Sequence, residues 1–470
     1  MRNMVLTRLL VCLAILLLGG CVGSDNGDNI DNGDVNISGV TPRRAPLYWS
    51  VYEYCWLLEQ QGVPSSQMDI TEEQWDHIID WVARELKPYG YDMVCTDGFI
   101  PMLVKDDSGY MTHYGSMSLK KLVDKCKAKG LKVGVYDNPL WIHGKDSTPI
   151  DGTDGITFGD LKYNKGDKVM RSNVKDTWFS WVVVSHPGAK EYIDGFFKHF
   201  SEMGIDYIRM DFLSWYEDGH DRGMGVVGRG YGREAYEQAL KYICEAATKY
   251  NVFTSLVMPH LNDRASLERK YGNMVRIVAD TGKGGWNHFS ARDRGVAYDS
   301  WPNCMNMFDG FVYWSEIAGR GKVIMDGDFI RLNTFASDNE KESVISLQLM
   351  AGGPVTVADQ YTSIGDDVRF YQNRELLALN YDGFVGKPLS AALGNVKNQI
   401  WYGQLSCGDW VVGLFNRENT TQTLSVTLAE LGINGERSVR DLWRHSDEGK
   451  TDHLKAVLEP HACKIVRLSE

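Results

Sequence analysis

Six aspartates stand where they could carry out acid–base or nucleophilic chemistry. Each comes just after an apolar, β-rich run of the sequence. Clustered carboxylates repel one another and lose hydration, so a protein keeps them together where they bind a cation or transfer protons. A second interpretation is that some of them cap the helices that follow, because aspartate is a favoured N-cap residue. The six residues are Asp97, Asp137, Asp211, Asp280, Asp326 and Asp328.

The elements that would position these acids follow an alternating pattern. Amphipathic helical patterns separate eight β-rich runs, which favours a parallel α/β protein, and the count of eight matches a (β/α)₈ TIM barrel. In such a barrel the reactive groups project from the carboxyl ends of the strands, which places the aspartates at one mouth. The predicted strands are 47–52, 91–96, 131–136, 205–210, 252–258, 274–279, 322–325 and 354–357, and the predicted helices include 73–86, 119–129, 189–203, 233–249, 342–350 and 371–379.

The alternation stops near residue 383. Short β-rich runs separated by Gly, Asn and Asp turns then predict an antiparallel β-sandwich. We therefore expect a catalytic barrel at 46–383 and a C-terminal β-sandwich at 384–470. The runs that predict strands of this second domain are 400–402, 410–415, 424–428, 438–442 and 462–468.

Two kinds of site would use such a cluster of acids. A hard cation requires clustered oxygen ligands, but the sequence has no D-x-D-x-D loop, and the histidines lack zinc spacing; we expect neither a metal nor a cofactor. Glycoside cleavage uses two carboxylates: one attacks the anomeric carbon and the other protonates the leaving oxygen, about 5–5.5 Å apart in retaining enzymes. The aromatic content of 11% suits a carbohydrate site, because sugars stack their C–H faces on rings, although core packing explains most of these residues.

Several other classes of function are disfavoured. The net charge is −12 and no basic stripe occurs, which argues against nucleic acid as a partner. A G-x-G-x-x-G match at 223–228 lies well past the preceding strand, where a dinucleotide-binding turn would not stand. The sequence has no G-x-S-x-G elbow, so a serine hydrolase is also disfavoured.

The first 21 residues have the pattern of a bacterial lipoprotein signal peptide. Two arginines precede an apolar run that is too short to span a bilayer, and the run ends in Leu-Gly-Gly-Cys at Cys21. We expect Cys21 to carry a lipid anchor, with residues 22–45 as a flexible tether. Val22, in place of aspartate, indicates the outer membrane, on its periplasmic or its outer side. The alternative is an ordinary secretory peptide with an incidental cysteine.

The chain resembles glycoside hydrolase family 27, the α-galactosidase (melibiase) family of clan D. The strand Gly204–Phe212 is similar to the family's nucleophile strand, and 130–136 is similar to its Gly-Leu-Lys-x-Gly-x-Tyr strand. The spacing of Arg276 and Asp280 matches the family's acid/base strand. The similarity continues in order to the C-terminus through the segments 186–188, 326–328, 347–357 and 380–382.

The resemblance implies a role for eight residues. Asp211 would be the nucleophile and Asp280 the general acid/base. Arg209 stands where the family has Lys, and this is not a neutral exchange because guanidinium is a planar fork. The residues that would contact the sugar are Trp49, Asp97, Tyr136, Arg209, Arg276 and Asp328.

Two departures from the family bear on the sugar. The family has adjacent aspartates after strand two, whereas here Asp97 is followed by Gly98. After strand five the family has an acid that binds the 2-hydroxyl, whereas 256–259 reads Leu-Val-Met-Pro. A lost hydroxyl partner changes discrimination between sugars. A terminal α-galactoside is the first expectation; the alternatives are β-L-arabinopyranoside, α-N-acetylgalactosaminide, an α-glucan, or a surface lipoprotein that binds glycans without cleaving them.

The mechanism that the resemblance implies is double displacement with retention, acting on an oligosaccharide or polysaccharide. Arg209 lies two residues before Asp211 on the same face of the strand, so we expect it to lower the pKa of Asp211. We expect the charge of Asp211 to raise the pKa of Asp280. The long segment 141–185 contains Trp178, Phe179 and Trp181, and it is either a lid or leaving-group subsite, or a packed surface excursion.

Overall fold

A computed structural model of the protein describes residues 44–294 and 301–470. Its central feature is a sheet of eight parallel strands that curls into a barrel, which confirms the predicted fold class. The barrel strands are Leu47–Ser50 (β1), Met93–Cys95 (β2), Lys132–Tyr136 (β3), Tyr207–Met210 (β4), Phe253–Leu256 (β5), Met274–Arg276 (β6), Ile324–Asp326 (β7) and Val355–Val357 (β8).

The barrel closes between its seventh and eighth strands. The order in the sheet is β7-β6-β5-β4-β3-β2-β1-β8, so β7 and β8 lie at its two ends. Ile330, just after β7, bridges them: its N–H donates to Thr356 O at 2.9 Å, and Ala358 N–H donates to Ile330 O at 2.9 Å. The carboxyl ends of all eight strands therefore face one mouth.

Eleven α-helices are found among the described residues, and most of them surround the barrel. The predicted helix at 189–203 agrees with the structure. The predicted helix at 73–86 is wrong in its second half, because the α-helix ends at Trp81 and a wider π turn follows over Val82–Leu86. The helices are Tyr52–Gln60 (α1), Glu72–Trp81 (α2), Leu119–Ala128 (α3), Ala189–Met203 (α4), Leu213–Asp218 (α5), Arg233–Tyr250 (α6), Asn262–Tyr271 (α7), Gly285–Ser290 (α8), Met307–Trp314 (α9), Asp338–Met350 (α10) and Arg374–Asp382 (α11).

Helix α4 shows how the sequence positions strand β4, which is followed by Asp211. Its apolar face, which includes Phe196 and Phe200, is buried against the barrel. Gly204 ends the helix with φ 96°, a left-handed conformation that favours glycine. Ile205 N–H then closes the turn on Phe200 O at 2.9 Å, so the chain reverses directly into β4.

The C-terminal part of the chain forms an antiparallel β-sandwich. A six-stranded sheet of order β9-β10-β11-β16-β13-β14 packs against the pair β12-β15. The five predicted strands are present, and three more were missed. The strands are Lys387–Pro388 (β9), Ile400–Gln404 (β10), Trp410–Phe415 (β11), Gln422–Thr427 (β12), Arg437–Asp441 (β13), Ser446–Thr451 (β14), His453–Leu458 (β15) and Cys463–Ser469 (β16).

The sandwich packs against the barrel through one face of its larger sheet. Trp401, Phe415 and Ile465 from that face are buried in the same apolar cluster as the barrel helices. Within this contact Arg417 donates to Asp309 at 2.7 Å, and both side chains are almost completely buried. The two domains are thus joined by a desolvated ion pair as well as by apolar contact.

The predicted signal peptide, the predicted lipid-anchor residue Cys21 and the predicted tether up to residue 43 lie outside the described residues. Within 44–294 and 301–470, none of the helices has the length and apolar character needed to cross a bilayer.

Replacing Arg417 by Met should destabilise the folded protein by about 3–5 kcal/mol, because Asp309 would keep a buried charge without its partner. Arg292→Met is the matched control. Arg292 pairs with Glu418 across the same two domains, but that pair is exposed and contributes about 0–1 kcal/mol. Urea denaturation of both variants measures the difference, and equal stability of the two would contradict the importance of the buried pair.

Candidate active site

Five of the six predicted aspartates lie together at the mouth of the barrel. Asp97 follows β2, Asp211 follows β4 directly, and Asp280 lies four residues beyond the end of β6, after a bend at 278–279. Asp326 ends β7, and Asp328 lies two residues beyond it. The charges of Asp97, Asp211, Asp280 and Asp328 act on one another's ionisation, as expected of groups that share one site.

The sixth aspartate faces elsewhere. Asp137 accepts a hydrogen bond from its neighbour Asn138 N–H at 2.7 Å, and it lies 2.9 Å from the His143 ring. Its role is to fix the turn after β3. This turn also positions Asn138 beside β4, where its side-chain amide donates to Asp211 O at 2.8 Å.

The carboxylate of Asp211 is held by two donors. Tyr136 Oη donates to Oδ2 at 2.9 Å, and Phe212 N–H donates to Oδ1 at 2.7 Å. The Phe212 backbone has φ 63°, a left-handed conformation that is rare for a bulky residue and is frequent at functional sites. A carboxylate fixed in this way presents one orientation to whatever binds beside it.

Arg209 and Asp211 form no hydrogen bond or ion pair with each other, although they lie two residues apart on one strand. Its guanidinium instead bonds Asp326 at 3.0 Å and Asp328 at 3.1 Å, and it lies 4.6 Å over the ring of Phe329. Burial raises the pKa of Asp211, and the more distant charges of Arg276 and Arg209 offset this only in part. Arg209 thus acts on the pKa of Asp211 in the expected direction, but burial outweighs it and the net pKa is raised rather than lowered.

Arg276, the second arginine of the mouth, binds Asp280. Its Nη2 donates to the Asp280 carboxylate, its Nε donates to Val278 O at 3.0 Å, and its guanidinium lies 4.7 Å over the Trp301 ring. The Asp280 side chain is 62% exposed and opens onto the mouth. Surrounding protein atoms disfavour its charge, but the charge and hydrogen bond of Arg276 prevail and lower the pKa of Asp280. The expected rise in this pKa is wrong for the unliganded site.

Asp328 ties the two arginines together beneath the site. One oxygen binds Arg209 and lies 3.6 Å from Arg276 Nη1, and the other accepts from Thr281 N–H at 2.8 Å. Burial is the first cause of its raised pKa, and both arginines oppose that rise. Asp328 thereby connects the ends of β6 and β7 and sets where Arg276 stands.

Asp97 lies on the other side of the mouth. It is buried and accepts from Gly98 N–H at 2.8 Å. Burial raises its pKa to about 7, with Asp211 and Asp328 adding to the rise and Arg209 opposing it. Near neutral pH Asp97 is therefore protonated in part and can donate a hydrogen bond as well as accept one.

The space around position 98 explains why a glycine follows Asp97. A Cβ at Gly98 would lie 2.6 Å from the Tyr136 ring, which is closer than real contacts allow. A second aspartate at position 98, as in the family pattern, would require the Tyr136 ring to move from the position in which it holds Asp211.

Tyr136 and Trp49 were both predicted to contact the sugar, but only Tyr136 bonds to an acid of the mouth. Tyr136 reaches the carboxylate of Asp211, as described above. Trp49 is buried and donates from Nε1 to Asp359 O at 2.8 Å, so its indole N–H is already occupied by the end of the eighth barrel strand.

Sequence reasoning missed Tyr52. Its ring packs at 4.7 Å on Phe329, and the nearby charges of Asp280, Asp328 and Asp97 add to the effect of burial in raising its pKa. The predicted first strand extended to residue 52 and hid this position. Strand β1 ends at Ser50 instead, so Tyr52 opens α1 at the mouth.

An aromatic wall stands beside the nucleophile candidate. Phe179 stacks on Trp141 at 4.2 Å with the ring planes 5° apart, and Phe212 packs on Trp215 at 4.3 Å. We call these four residues the aromatic wall. Among the described residues no group of three or more His, Cys, Asp or Glu side chains is arranged to hold a metal ion.

Comparisons with known proteins agree on the class of this site. Residues 396–468 match the family model of the alpha galactosidase C-terminal beta sandwich domain. The isomalto-dextranase of Arthrobacter globiformis is 40% identical over 441 residues, which cover 90% of this chain and 67% of that protein. An α-galactosidase of Oryza sativa subsp. japonica is 24% identical over 440 residues, covering 92% of this chain and 85% of that one.

Solved structures give the same result. The Arthrobacter globiformis isomalto-dextranase in complex with panose superposes with a TM-score of 0.83 and 39% identity, covering 92% of this chain and 74% of that one. A family 27 β-L-arabinopyranosidase from Geobacillus stearothermophilus superposes with a TM-score of 0.70 and 19% identity, covering 93% and 98%; this second likeness concerns the fold alone.

Replacing Tyr136 by Phe should lower kcat/KM about ten-fold and move the acidic limb of the pH–rate profile to higher pH. The carboxylate of Asp211 would lose a donor that favours its ionised form, so its pKa would rise further. The pH dependence of kcat/KM measures both effects. Tyr110→Phe is the control, since it removes a buried hydroxyl that donates to Tyr192 O far from the mouth. An acidic limb that stays in place in Tyr136→Phe would show that this bond does not tune Asp211.

Proposed function

This chain belongs to glycoside hydrolase family 27, and we propose that it hydrolyses α-glucans, with α-1,6-linked glucan of the dextran type as its substrate class, by a retaining mechanism. The observation that carries the choice of sugar is the 40% identity to an isomalto-dextranase along nearly the whole chain. The α-galactosidase of Oryza sativa named above is only 24% identical to this chain.

The mouth of the barrel supports a sugar other than galactose. Galactose and glucose differ in the configuration of the 4-hydroxyl, which the family pattern pairs with adjacent aspartates. Here Asp97 stands alone, and the ring of Tyr136 occupies the space that a side chain at position 98 would need. The segment after β5, which runs through Val257 and Met258, offers no carboxylate either. Each missing partner removes a contact on which a galactose-type site depends.

The proposed reaction starts at Asp211. Its carboxylate, oriented by Tyr136 and Phe212 N–H, attacks the anomeric carbon while Asp280 gives its proton to the glycosidic oxygen. The bond between that carbon and the leaving oxygen breaks, and an ester to Asp211 forms. Asp280 then takes a proton from water, whose oxygen attacks the anomeric carbon on the face opposite the ester. The bond between that carbon and Asp211 breaks, the Asp211 carboxylate is released, and the original anomeric configuration is restored.

Asp280 must gain a proton before it can act. In the free protein Arg276 holds it as a carboxylate, and its exposed position lets it exchange protons with water. A bound sugar displaces that water, and desolvation raises the pKa of a carboxyl group. Contact between Arg276 and a sugar hydroxyl would weaken its hold on Asp280 in the same step.

A substrate panel tests the proposed function. The wild-type protein is assayed with dextran, isomalto-oligosaccharides and aryl α-glucosides, and in parallel with aryl α-galactoside, β-L-arabinopyranoside and α-N-acetylgalactosaminide. We expect turnover of the glucose-based substrates and first-formed products of α configuration by proton NMR. Preferred turnover of a galacto-configured substrate would replace the α-glucan assignment, and binding of dextran without cleavage would support a glycan-binding lipoprotein.

The two catalytic assignments predict different losses. Asp211→Asn should abolish turnover of every substrate. Asp280→Asn should lower kcat/KM for dextran about 10²–10⁴-fold but spare kcat/KM for α-glucosyl fluoride, whose leaving group needs no proton; kcat for the fluoride should still fall, because the water that releases the second product has lost its base. Steady-state kinetics on both substrates, with exposed Asp107→Asn as the control, measure the contrast. Near-normal activity of Asp211→Asn would refute its assignment as the nucleophile.

A further inference from the structure

Trp178 is a large aromatic side chain that the fold leaves in water. It is 65% exposed, although burying a tryptophan is among the larger apolar gains that a side chain offers. Phe179 and Trp181, its neighbours in the same long segment, pack inward instead. Of the three aromatic residues predicted to form a lid or subsite, only Trp178 presents its ring to solvent.

The backbone around Trp178 is fixed on both sides. Thr177 N–H and Oγ1 both donate to Val227 O, at 3.3 and 2.7 Å. Asp176 accepts from Arg229 N–H and from Tyr231 Oη, each at 2.9 Å. On the other side Ile142 N–H donates to Ser180 O at 2.8 Å. The exposed ring is therefore mounted on an ordered support.

A continuous series of rings joins Trp178 to the nucleophile candidate. Phe212, the residue after Asp211, packs at 4.3 Å on Trp215, and Trp215 lies 6.3 Å from Trp178. Trp215 is itself fixed by a hydrogen bond from Nε1 to Asp221 at 3.2 Å. Trp178 is thus the exposed end of a series of packed rings that begins next to Asp211 and passes through the buried Trp215.

Further apolar side chains are exposed on the loop that supports Trp178. Val226 belongs to a two-stranded ribbon with His220, and Met224 lies at its tip. Across from this ribbon, Met170 N–H donates to Gly230 O at 2.7 Å. The side chains of Met170, Met224 and Val226 are each more than half exposed. Apolar side chains are therefore exposed on the segments that hydrogen-bond to the chain around Trp178, and exposed apolar patches are frequent at binding sites.

We infer that Trp178 is a stacking platform for a sugar unit other than the one held at Asp211, and that it makes the enzyme selective for glucan chains over single-sugar glycosides. The inference rests on the proposed function, since the ligand is a further glucosyl unit of the same chain. Such a unit can place its C–H face on the exposed ring while its hydroxyls remain hydrogen-bonded to water, and tryptophan is frequent where an apolar contact adjoins solvent in this way. Because the platform is preformed, the sugar binds without an ordering cost to the protein.

The test compares Trp178→Ala with Trp178→Phe on two substrates. Dextran extends beyond the catalytic centre, whereas α-glucosyl fluoride has one sugar and a leaving group without a ring. We expect kcat/KM for dextran to fall about ten-fold in Trp178→Ala, to recover in large part in Trp178→Phe, and to stay unchanged for the fluoride. Val457→Ala, which alters an exposed side chain of the sandwich, should leave both values unchanged.

A binding measurement separates failure of this inference from failure of the proposed function. In native gels that contain dextran, Asp211→Asn should be retarded, and Asp211→Asn/Trp178→Ala should be retarded much less. Dextran turnover with equal losses on both substrates, or with no loss on dextran, would overturn the platform and leave the function standing. A wild-type protein that neither cleaves nor binds dextran would overturn both.

Discussion

Carboxylates that share one barrel mouth repel one another, and burial makes each charge more costly. This mouth tolerates five of them because two buried arginines stand among them. Arg209 bonds Asp326 and Asp328, Arg276 bonds Asp280, and Asp328 lies between the two guanidinium groups. The positions of the acids at the end of β6 and the end of β7 depend on this network, and so does the electrostatic balance of the whole site.

The same network explains why the two proposed catalytic carboxyls differ in proton affinity. Asp211 is held by Tyr136 and a backbone N–H, but neither arginine touches it, so burial prevails and its pKa rises. Asp280 is open to water and bonded to Arg276, so its pKa falls. Under the proposed mechanism, binding of a sugar reverses this balance, because it removes water from Asp280 and gives Arg276 a hydroxyl to contact. Neighbouring groups of this kind titrate as a coupled set.

Much of the fold could be predicted from the sequence, because buried parallel strands are continuous apolar runs and each is followed by a turn to a helix. The same rule identified the aspartates, since a strand's carboxyl end is visible in the sequence. Strand β14, Ser446–Thr451, was missed because it is polar and exposed and lacks any alternation. Short helices such as α5 and α8 were missed because six residues carry too little periodicity.

The electrostatics of the site could not be predicted in the same way. Alternation along β4 correctly placed Arg209 on the face of the mouth, but it could not show which acid the guanidinium would reach, since Asp326 and Asp328 come from a strand more than a hundred residues away. Tyr52 was hidden by an error of two residues in a strand end. The close approach of Gly98 to the Tyr136 ring likewise arises because the ends of β2 and β3 are neighbours in the barrel, which the sequence alone does not show.

The most direct test of this account is to trap the covalent intermediate. The wild-type protein is incubated with 5-fluoro-α-D-glucosyl fluoride, which forms a glycosyl-enzyme readily and loses it slowly, and the digested protein is analysed by mass spectrometry. The account predicts one added fluoroglucosyl group, on the peptide that contains Asp211 and at that residue. Attachment at another carboxylate, or release of the inverted sugar with no adduct, would contradict it.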